Sequence, residues 1–362
     1  MERLKHRKEK ITPFLKSKFE FLKTKYGEQH PYYKGLSLQY FVSDQNTDEK
    51  FVLTNLKHYE AGVHIAEEHG FIPGLERLYR RTLVIEPTLV CSAHCQFCLR
   101  QNYTQHTLSD ELLVDVAKYC GDSKNRDILN EVLITGGDPL LIPAKLEFLI
   151  NALIRYAPNI RIIRIGSRIM TQCPEKFDAS VFSIFSGKSD VRFELGTQLN
   201  HPVEFFPEAG EIFDRVNELG IKIYAQNVLL RGVNDDLETL VALYELMRRY
   251  NIESHYLFHC CPIVGMQHLR PSIEKSLALV RGLSMGGKIS GRAKPMFAAM
   301  TDIGKILFYE GTIIKKKGGL LLLRSGYKLS ERTDWNPSYE APASAQVDEN
   351  GFLTVWYADG VE

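Results

Sequence analysis

The chain has 362 residues, 45 of them basic and 44 acidic, for a formal net charge of +1. Charge so evenly balanced gives no bulk attraction for nucleic acid, and no uninterrupted apolar run reaches the roughly 18 residues that a membrane-spanning helix needs. Seven cysteines, an odd count with no apolar segment at the start, point to a cytoplasmic chain with reduced thiols and away from a disulfide scaffold.

The first part, 1–80, reads as a helical and polar region with loops around 27–32 and 70–74. Basic residues gather at its start and at Lys10, Lys16, Lys18, Lys23 and Lys25, but the interspersed glutamates favour a solvated helical face over a phosphate site. Beyond it, short apolar runs recur at 82–89, 131–135, 160–165, 191–197, 222–228 and 253–259. From the second onward they start at 131, 160, 191, 222 and 253, that is 29, 31, 31 and 31 residues apart. Helix-period segments lie between them at 110–120, 144–156, 208–219 and 237–250, with Ser109 and Asp236 placed as N-caps and Gly121 and Gly220 as stops. This βα repeat predicts an α/β fold, a partial (β/α)6 parallel barrel over 81–300, whose chemistry belongs on the loops after the strand C-termini. The segment 294–299 reads as one more strand. The runs 312–317, 320–323 and 352–357, with turns at Gly318-Gly319 and Glu349-Asn350-Gly351, read as a small antiparallel β appendage over 301–362. That tail is expected to cover the open side or one end of the barrel.

Cys91, Cys95 and Cys98 follow the first run with the spacing Cys-x3-Cys-x2-Cys. Three thiolates can hold three irons of a [4Fe-4S] cluster and leave the fourth iron open to an exogenous ligand. Zinc would want four ligands, usually as two spaced pairs. Here His94 is adjacent to Cys95, and no second Cys-x2-Cys pair exists. The second run ends in Ile134-Thr135-Gly136-Gly137-Asp138-Pro139-Leu140. Glycines let backbone approach a ligand closely and a carboxylate accepts from an ammonium group. S-adenosyl-L-methionine on the open iron would place its amino group against Gly136, Gly137 and Asp138.

Together with Arg164-Ile165-Gly166-Ser167-Arg168, Leu199-Asn200-His201-Pro202 and the segment from Gln226 to Asp235, these motifs resemble the lysine 2,3-aminomutase family of radical S-adenosylmethionine enzymes. The resemblance runs from about Gly74 to Lys305. It implies a barrel of radical SAM type, reductive cleavage of S-adenosylmethionine to a 5′-deoxyadenosyl radical, cofactor contacts at Ser167, Arg168 and Gln226, and a flavodoxin- or ferredoxin-like reductant. It also implies pyridoxal 5′-phosphate, which needs a lysine and a phosphate site. Gly304-Lys305 retains the end of the family's glycine-rich stretch, so Lys305 is the candidate Schiff-base lysine, with Lys288, Lys294 and Lys315 as competitors. Arg77 and Arg81 match the family's phosphate arginines. Four apart on a helix they would share a face, and the alternative is a solvated helix that includes Arg80.

Arg100 matches the arginine for the amino-acid carboxylate, the alternative being a structural charge partner. The two aspartates that neutralise a substrate ammonium in lysine-acting members correspond to Cys261 and Met300. A buried ammonium without a carboxylate costs several kcal/mol, so the expected substrate is an amino-acid-like molecule other than lysine, unless Asp302 substitutes. The family's zinc cysteines are missing, Asp236 standing at the first position. Any homo-oligomer would use other contacts, such as Trp335, Tyr339, Trp356 and Tyr357, unless those are core. The expected activity is 2,3-amino migration. The alternatives are a pyridoxal-free radical enzyme performing epimerisation, decarboxylation or elimination, and a non-enzymatic metal-cluster module.

Overall fold

The structure is a computed structural model that describes residues 9–43 and 74–362 apart from 104, 264 and 338. The basic start before residue 9 and the helical reading of 44–73 lie outside the described residues. Two helices come first, α1 (Pro13–Tyr26) and α2 (Pro31–Tyr40). Each has proline in its first turn, where a missing N–H costs nothing. Thr12 caps α1 by accepting from the Leu15 amide at 3.1 Å.

Among the described residues the main sheet has nine strands in sequential order. They are β1 (Leu75–Glu76), β2 (Thr82–Thr88), β3 (Glu131–Gly136), β4 (Ile162–Gly166), β5 (Arg192–Thr197), β6 (Lys222–Leu229), β7 (Ile252–His259), β8 (Met296–Thr301) and β9 (Gly304–Leu307). From β2 to β8 every pairing is parallel, and β1 and β9 pair antiparallel at the two edges. The parallel strands are thus the six read from the apolar repeat plus the one read at 294–299. The crossover helices are α3 (Asp110–Gly121), α4 (Pro143–Tyr156), the short α5 (Ile169–Gln172) and α6 (Ala179–Ile184), then α7 (Pro207–Glu218), α8 (Leu237–Arg249) and α9 (Ile273–Ser284). Ser109 and Asp236 cap α3 and α8 as expected, accepting from the Leu112 and Thr239 amides. Gly220 stops α7 at φ +71°, a left-handed conformation that glycine adopts without a Cβ penalty.

Val132, Ile134, Ile163, Ile165, Leu195 and Ile223 are fully buried on the face toward the helices. The alternate residues Glu131, Arg164, Glu194 and Tyr224 turn to the other face and meet there. Arg164 donates from Nε to Glu194 at 2.8 Å and lies 3.5 Å from Glu131, and the Tyr224 hydroxyl donates to Glu194 at 3.3 Å. Lys305 on β9 lies six strands from β3 in the sheet order, yet its ammonium feels Glu131 and Arg164 and stands 5.2 Å from the Tyr79 ring beyond β1. The sheet therefore curls into an open half-barrel whose two edges approach each other.

Four strands, β10 (Ile313–Lys317), β11 (Leu320–Lys328), β12 (Ala345–Val347) and β13 (Phe352–Ala358), form a separate antiparallel sheet in the order β10-β11-β13-β12. The helix α10 (Leu329–Trp335) bridges the two barrel edges. Arg332 donates to the Ile303 carbonyl at the β8–β9 turn at 2.8 Å, and Asn336 donates to the Arg77 carbonyl after β1 at 3.2 Å. The segment after β11 thus ties the two edges of the barrel to each other. Tyr339 and Tyr357 are buried, and Trp335 lies under the Arg77 guanidinium at 5.0 Å, which makes these aromatics part of the fold. Among the described residues no helix is long and apolar enough to cross a membrane.

Two expectations change. Arg77 and Arg81 do not lie on a helix: 77–81 is the irregular connection between β1 and β2, and spacing of four says nothing about faces there. Lys305 belongs to β9, hydrogen-bonded into the main sheet opposite Met300, and so sits in the barrel wall rather than in the appendage.

Candidate active site

The loop after β2 carries the three cysteines, held from two sides. On one side the Gly137 amide donates to the Thr88 carbonyl and the Asp138 amide to the Val90 carbonyl, both at 2.8 Å. A Cβ on Gly136 would meet the Thr88 carbonyl oxygen, and one on Gly137 the Val90 carbonyl oxygen, well inside contact distance. Gly136 also has φ +112°. The glycines are needed because the cluster loop's backbone presses onto this turn, a reason additional to the ligand approach read from sequence. On the other side the His94 amide donates to the Lys10 carbonyl at 2.8 Å, the Gln96 amide to the Gln39 carbonyl at 2.8 Å, and the Gln96 side chain to the Tyr40 carbonyl at 3.0 Å. The N-terminal helices thus back the loop.

Asp138 is buried. Its carboxylate accepts from the Ser167 hydroxyl at 2.9 Å and from the Arg168 amide at 3.0 Å. Burial pushes its pKa up to about 6, with the Ser167 and backbone hydrogen bonds pulling the other way. In this arrangement the side chain locks the β3 turn to the β4 turn, and Gly136, Gly137, Asp138, Ser167 and Arg168 form one connected wall behind the cysteines. Arg168 reaches the cysteines themselves, donating from Nη1 to Cys95 Sγ at 2.9 Å while Nη2 pairs with Glu204 and with Gln39 at 3.2 Å. Burial would lower its pKa, but Cys95, Tyr40 and Glu204 hold it raised. Gln226 stands on β6 opposite Tyr256 of β7, where the ladder shifts register.

The donor set fits an iron–sulfur cluster. Burial pushes the Cys91 thiol up, and Cys98 and Cys95 add to the push; burial also pushes Cys95 up against the pull of Arg168. The thiols therefore lie close enough to oppose one another's charge, and a multiply charged iron centre would reverse that opposition. Among the described residues no three His, Cys, Asp or Glu side chains converge on a single-ion site; a cubane's ligands sit one to each iron and do not converge in that way.

Arg100, two residues past Cys98, is clasped by carboxylates of its own chain. Its Nε pairs with Glu86, and its Nη2 lies 3.7 Å from Glu76. Both glutamates are buried. Burial pushes Glu76 up, with Arg100 opposing and Glu86 adding. Sequence reading missed this pair, although a glutamate inside the buried run 82–89 was itself a signal that a cation must come to meet it.

The fit to pyridoxal phosphate is incomplete. Lys305 has the environment of a reactive amine: its Nζ stands 3.8 Å from the Tyr256 ring centroid, and its pKa is lowered to about 8 by burial first and Arg164 second, against Glu131. Of the two phosphate arginines, Arg81 shares Glu131 with Lys305, while Arg77 turns inward. Arg77 is buried, donates to the Tyr79 and Arg80 carbonyls at 2.6 and 2.7 Å, and stacks on Trp335. Arg81 is exposed before β2, at the opposite strand end from the cysteines. Asp302 accepts from Ser344 of the appendage at 2.5 Å.

Lys305 gives a pH prediction. The folded chain loses its proton near pH 8 and the unfolded chain near the ordinary 10.5. Between these values the unfolded state binds more protons, so this group makes folding more favourable as pH rises through that window. Reductive methylation mapped by peptide mass spectrometry is expected to modify Lys305 with a midpoint near pH 8, below the surface lysines; a midpoint shared with them would refute the assignment.

An open parallel half-barrel with three cysteines in the loop after its first parallel strand is the architecture of the radical S-adenosylmethionine class. No family model matches the chain. A protein of Aquifex aeolicus (strain VF5), named as a candidate L-lysine 2,3-aminomutase, is 33% identical over 258 residues, 70% of this chain and 68% of that one. L-lysine 2,3-aminomutase of Acetoanaerobium sticklandii is 31% identical over 260 residues, 70% of this chain and 61% of the relative. The chain thus spans about two thirds of the length of these relatives. The chain belongs to the lysine 2,3-aminomutase family of radical S-adenosylmethionine enzymes. Solved structures resemble it more distantly. A radical SAM methyltransferase from Sphaerobacter thermophilus has TM-score 0.44 and 17% identity, covering 61% of this chain and 67% of that one. Streptococcus suis SuiB bound to S-adenosylmethionine has TM-score 0.45 and 15% identity, covering 61% and 50%. These two likenesses carry no argument about function.

Proposed function

We propose that the chain holds a [4Fe-4S] cluster on Cys91, Cys95 and Cys98, binds S-adenosylmethionine beside it, and acts on an amino-acid-like substrate other than lysine without pyridoxal phosphate. The chemistry supplied when cluster and S-adenosylmethionine are bound is hydrogen abstraction by a 5′-deoxyadenosyl radical. The observation that carries the reading is the cysteine loop locked onto the Gly136-Gly137-Asp138 turn and the Ser167-Arg168 turn. The chain's own contribution is positional. The glycine turn and the Asp138–Ser167 contact fix the wall for the nucleoside cofactor, and the segment after β11 ties the two edges of the sheet together. Arg100 with Glu86 and Glu76, and Lys305 with Arg164 and Glu131, supply the charged groups available to orient a substrate. A low-potential one-electron donor of flavodoxin or ferredoxin type is required.

A second reading, 2,3-amino migration on pyridoxal phosphate, is favoured by one observation, the lowered pKa of Lys305. Against it stands Arg77, which is turned to the Tyr79 and Arg80 carbonyls and not toward Lys305. One experiment separates the two. Anaerobically reconstituted protein is incubated with reductant, S-adenosylmethionine and a panel of amino acids, and 5′-deoxyadenosine is quantified. In parallel, protein treated with pyridoxal phosphate is reduced with borohydride and mapped. Substrate-dependent 5′-deoxyadenosine without stoichiometric label on Lys305 is expected. Stoichiometric label there would transfer the assignment to the aminomutase reading, and absence of 5′-deoxyadenosine from fully loaded protein across the panel would refute both.

A further inference from the structure

Gln172 ends α5, one turn after Arg168, and none of the motifs includes it. It is buried, and every polar part of it is engaged. Its Nε2 donates to Cys95 Sγ at 3.2 Å and to the Tyr40 hydroxyl at 3.2 Å. Its Oε1 accepts from the Ser92 hydroxyl at 3.2 Å, and its backbone carbonyl accepts from the Thr12 hydroxyl. The amide's partners come from α2 and the cysteine loop, so it is held from two separate segments and has no room to turn away from the sulfur, while Thr12 at the start of α1 holds the backbone.

We propose that Gln172 is a positioning residue for Cys95 that sets the reduction potential of the cluster. The inference rests on the cluster reading above. An N–H donor withdraws electron density from a thiolate ligand and so favours the reduced cluster, which carries one more negative charge. Arg168 supplies a charged donor to the same sulfur, and Gln172 adds a neutral one whose direction is fixed by Tyr40 and Ser92. The arrangement makes α2 part of the redox centre's support: Tyr40, far from Cys95 in sequence, holds the amide that holds the sulfur.

The test is the cluster's midpoint potential, read by electron paramagnetic resonance during anaerobic redox titration, with iron content measured on the same samples. Gln172→Leu keeps the volume and removes the donor. The expected result is a midpoint more negative than that of the unsubstituted protein at equal iron content. Thr12→Val loosens the same wall without touching the amide and is expected to lower thermal stability while leaving the potential unchanged. Should Gln172→Leu fail to load iron, Gln172→Glu, which removes the neutral donor and brings a carboxylate to the sulfur, is expected to load and to shift the potential in the same direction. An unchanged potential at full iron content in either variant overturns the inference and leaves the cluster reading intact. Failure of both to load iron while Thr12→Val loads also overturns it, assigning the amide to cluster assembly alone. An unsubstituted protein that takes up no iron overturns the cluster reading and this inference together.

Discussion

Replacing Cys98 with alanine is expected to abolish reductive cleavage of S-adenosylmethionine while leaving the fold in place. The loss should be complete because a cluster held by two thiolates has two undefended irons, and the reactive state depends on having one. The fold should survive because the loop's packing comes from its neighbours: Ala93 and Phe97 are buried in the core, whereas Cys98 is only half-buried. The backbone contacts to Lys10, Gln39 and the glycine turn involve His94, Gln96, Gly137 and Asp138. Cys91→Ala and Cys95→Ala should behave alike. Cys120 provides the contrast. It is fully buried on α3, away from the cluster loop, so Cys120→Ala should leave iron content and 5′-deoxyadenosine release unchanged and cost about 1 kcal/mol, as removal of a small buried group does. Iron per chain, 5′-deoxyadenosine release and far-ultraviolet circular dichroism on the four variants decide the matter. Retained cleavage by Cys98→Ala would remove it from the cluster.

Much of this arrangement was written in local patterns, and the parts that were not share a cause. The strands β2 to β7 carry their own apolar runs and the helices α3, α4, α7 and α8 their own apolar faces, with Ser109 and Asp236 capping α3 and α8 and Gly220 stopping α7, each acting within a few residues. The cysteine spacing and the Gly-Gly-Asp turn were legible for the same reason. What the sequence concealed depends on partners distant in the chain. The arginines at 77 and 81 have helical spacing, but spacing of four is silent about whether a helix forms, and here Arg77 is fixed by carbonyls two and three residues on and by Trp335. Gly304–Leu307 is too short to announce a strand and becomes one only by pairing with β8. Glu76 meets Arg100 only because β1 pairs with β2. Gln172 has no local sign at all; its four partners come from residues 12, 40, 92 and 95.

Gly137→Ala should do by sterics what Cys98→Ala does by chemistry. A Cβ at 137 would lie 2.5 Å from the Leu89 carbonyl carbon and closer still to the Val90 oxygen. These are backbone atoms of the segment leading into Cys91, which cannot rotate aside as a flexible side chain could. Gly137 does not have positive φ, so the penalty is contact alone and not backbone strain. Relief requires the β3 turn and the cysteine loop to separate, breaking the hydrogen bonds from the Gly137 and Asp138 amides to Thr88 and Val90. Overpacking of a closely fitted site costs about 1–3 kcal/mol. The functional loss should exceed that figure's effect on folding, because the displaced backbone carries Cys91 and the Asp138–Ser167–Arg168 wall together. Gly291→Ala is the control. A Cβ there meets nothing within 4 Å, and its φ is not positive, so it should be neutral or slightly stabilising through the unfolded chain. Thermal denaturation and iron content measured on both variants test the argument. A Gly137→Ala protein with parent stability and parent iron loading would show that the turn and the cysteine loop are not locked together, and the positional account of the site would fall with it.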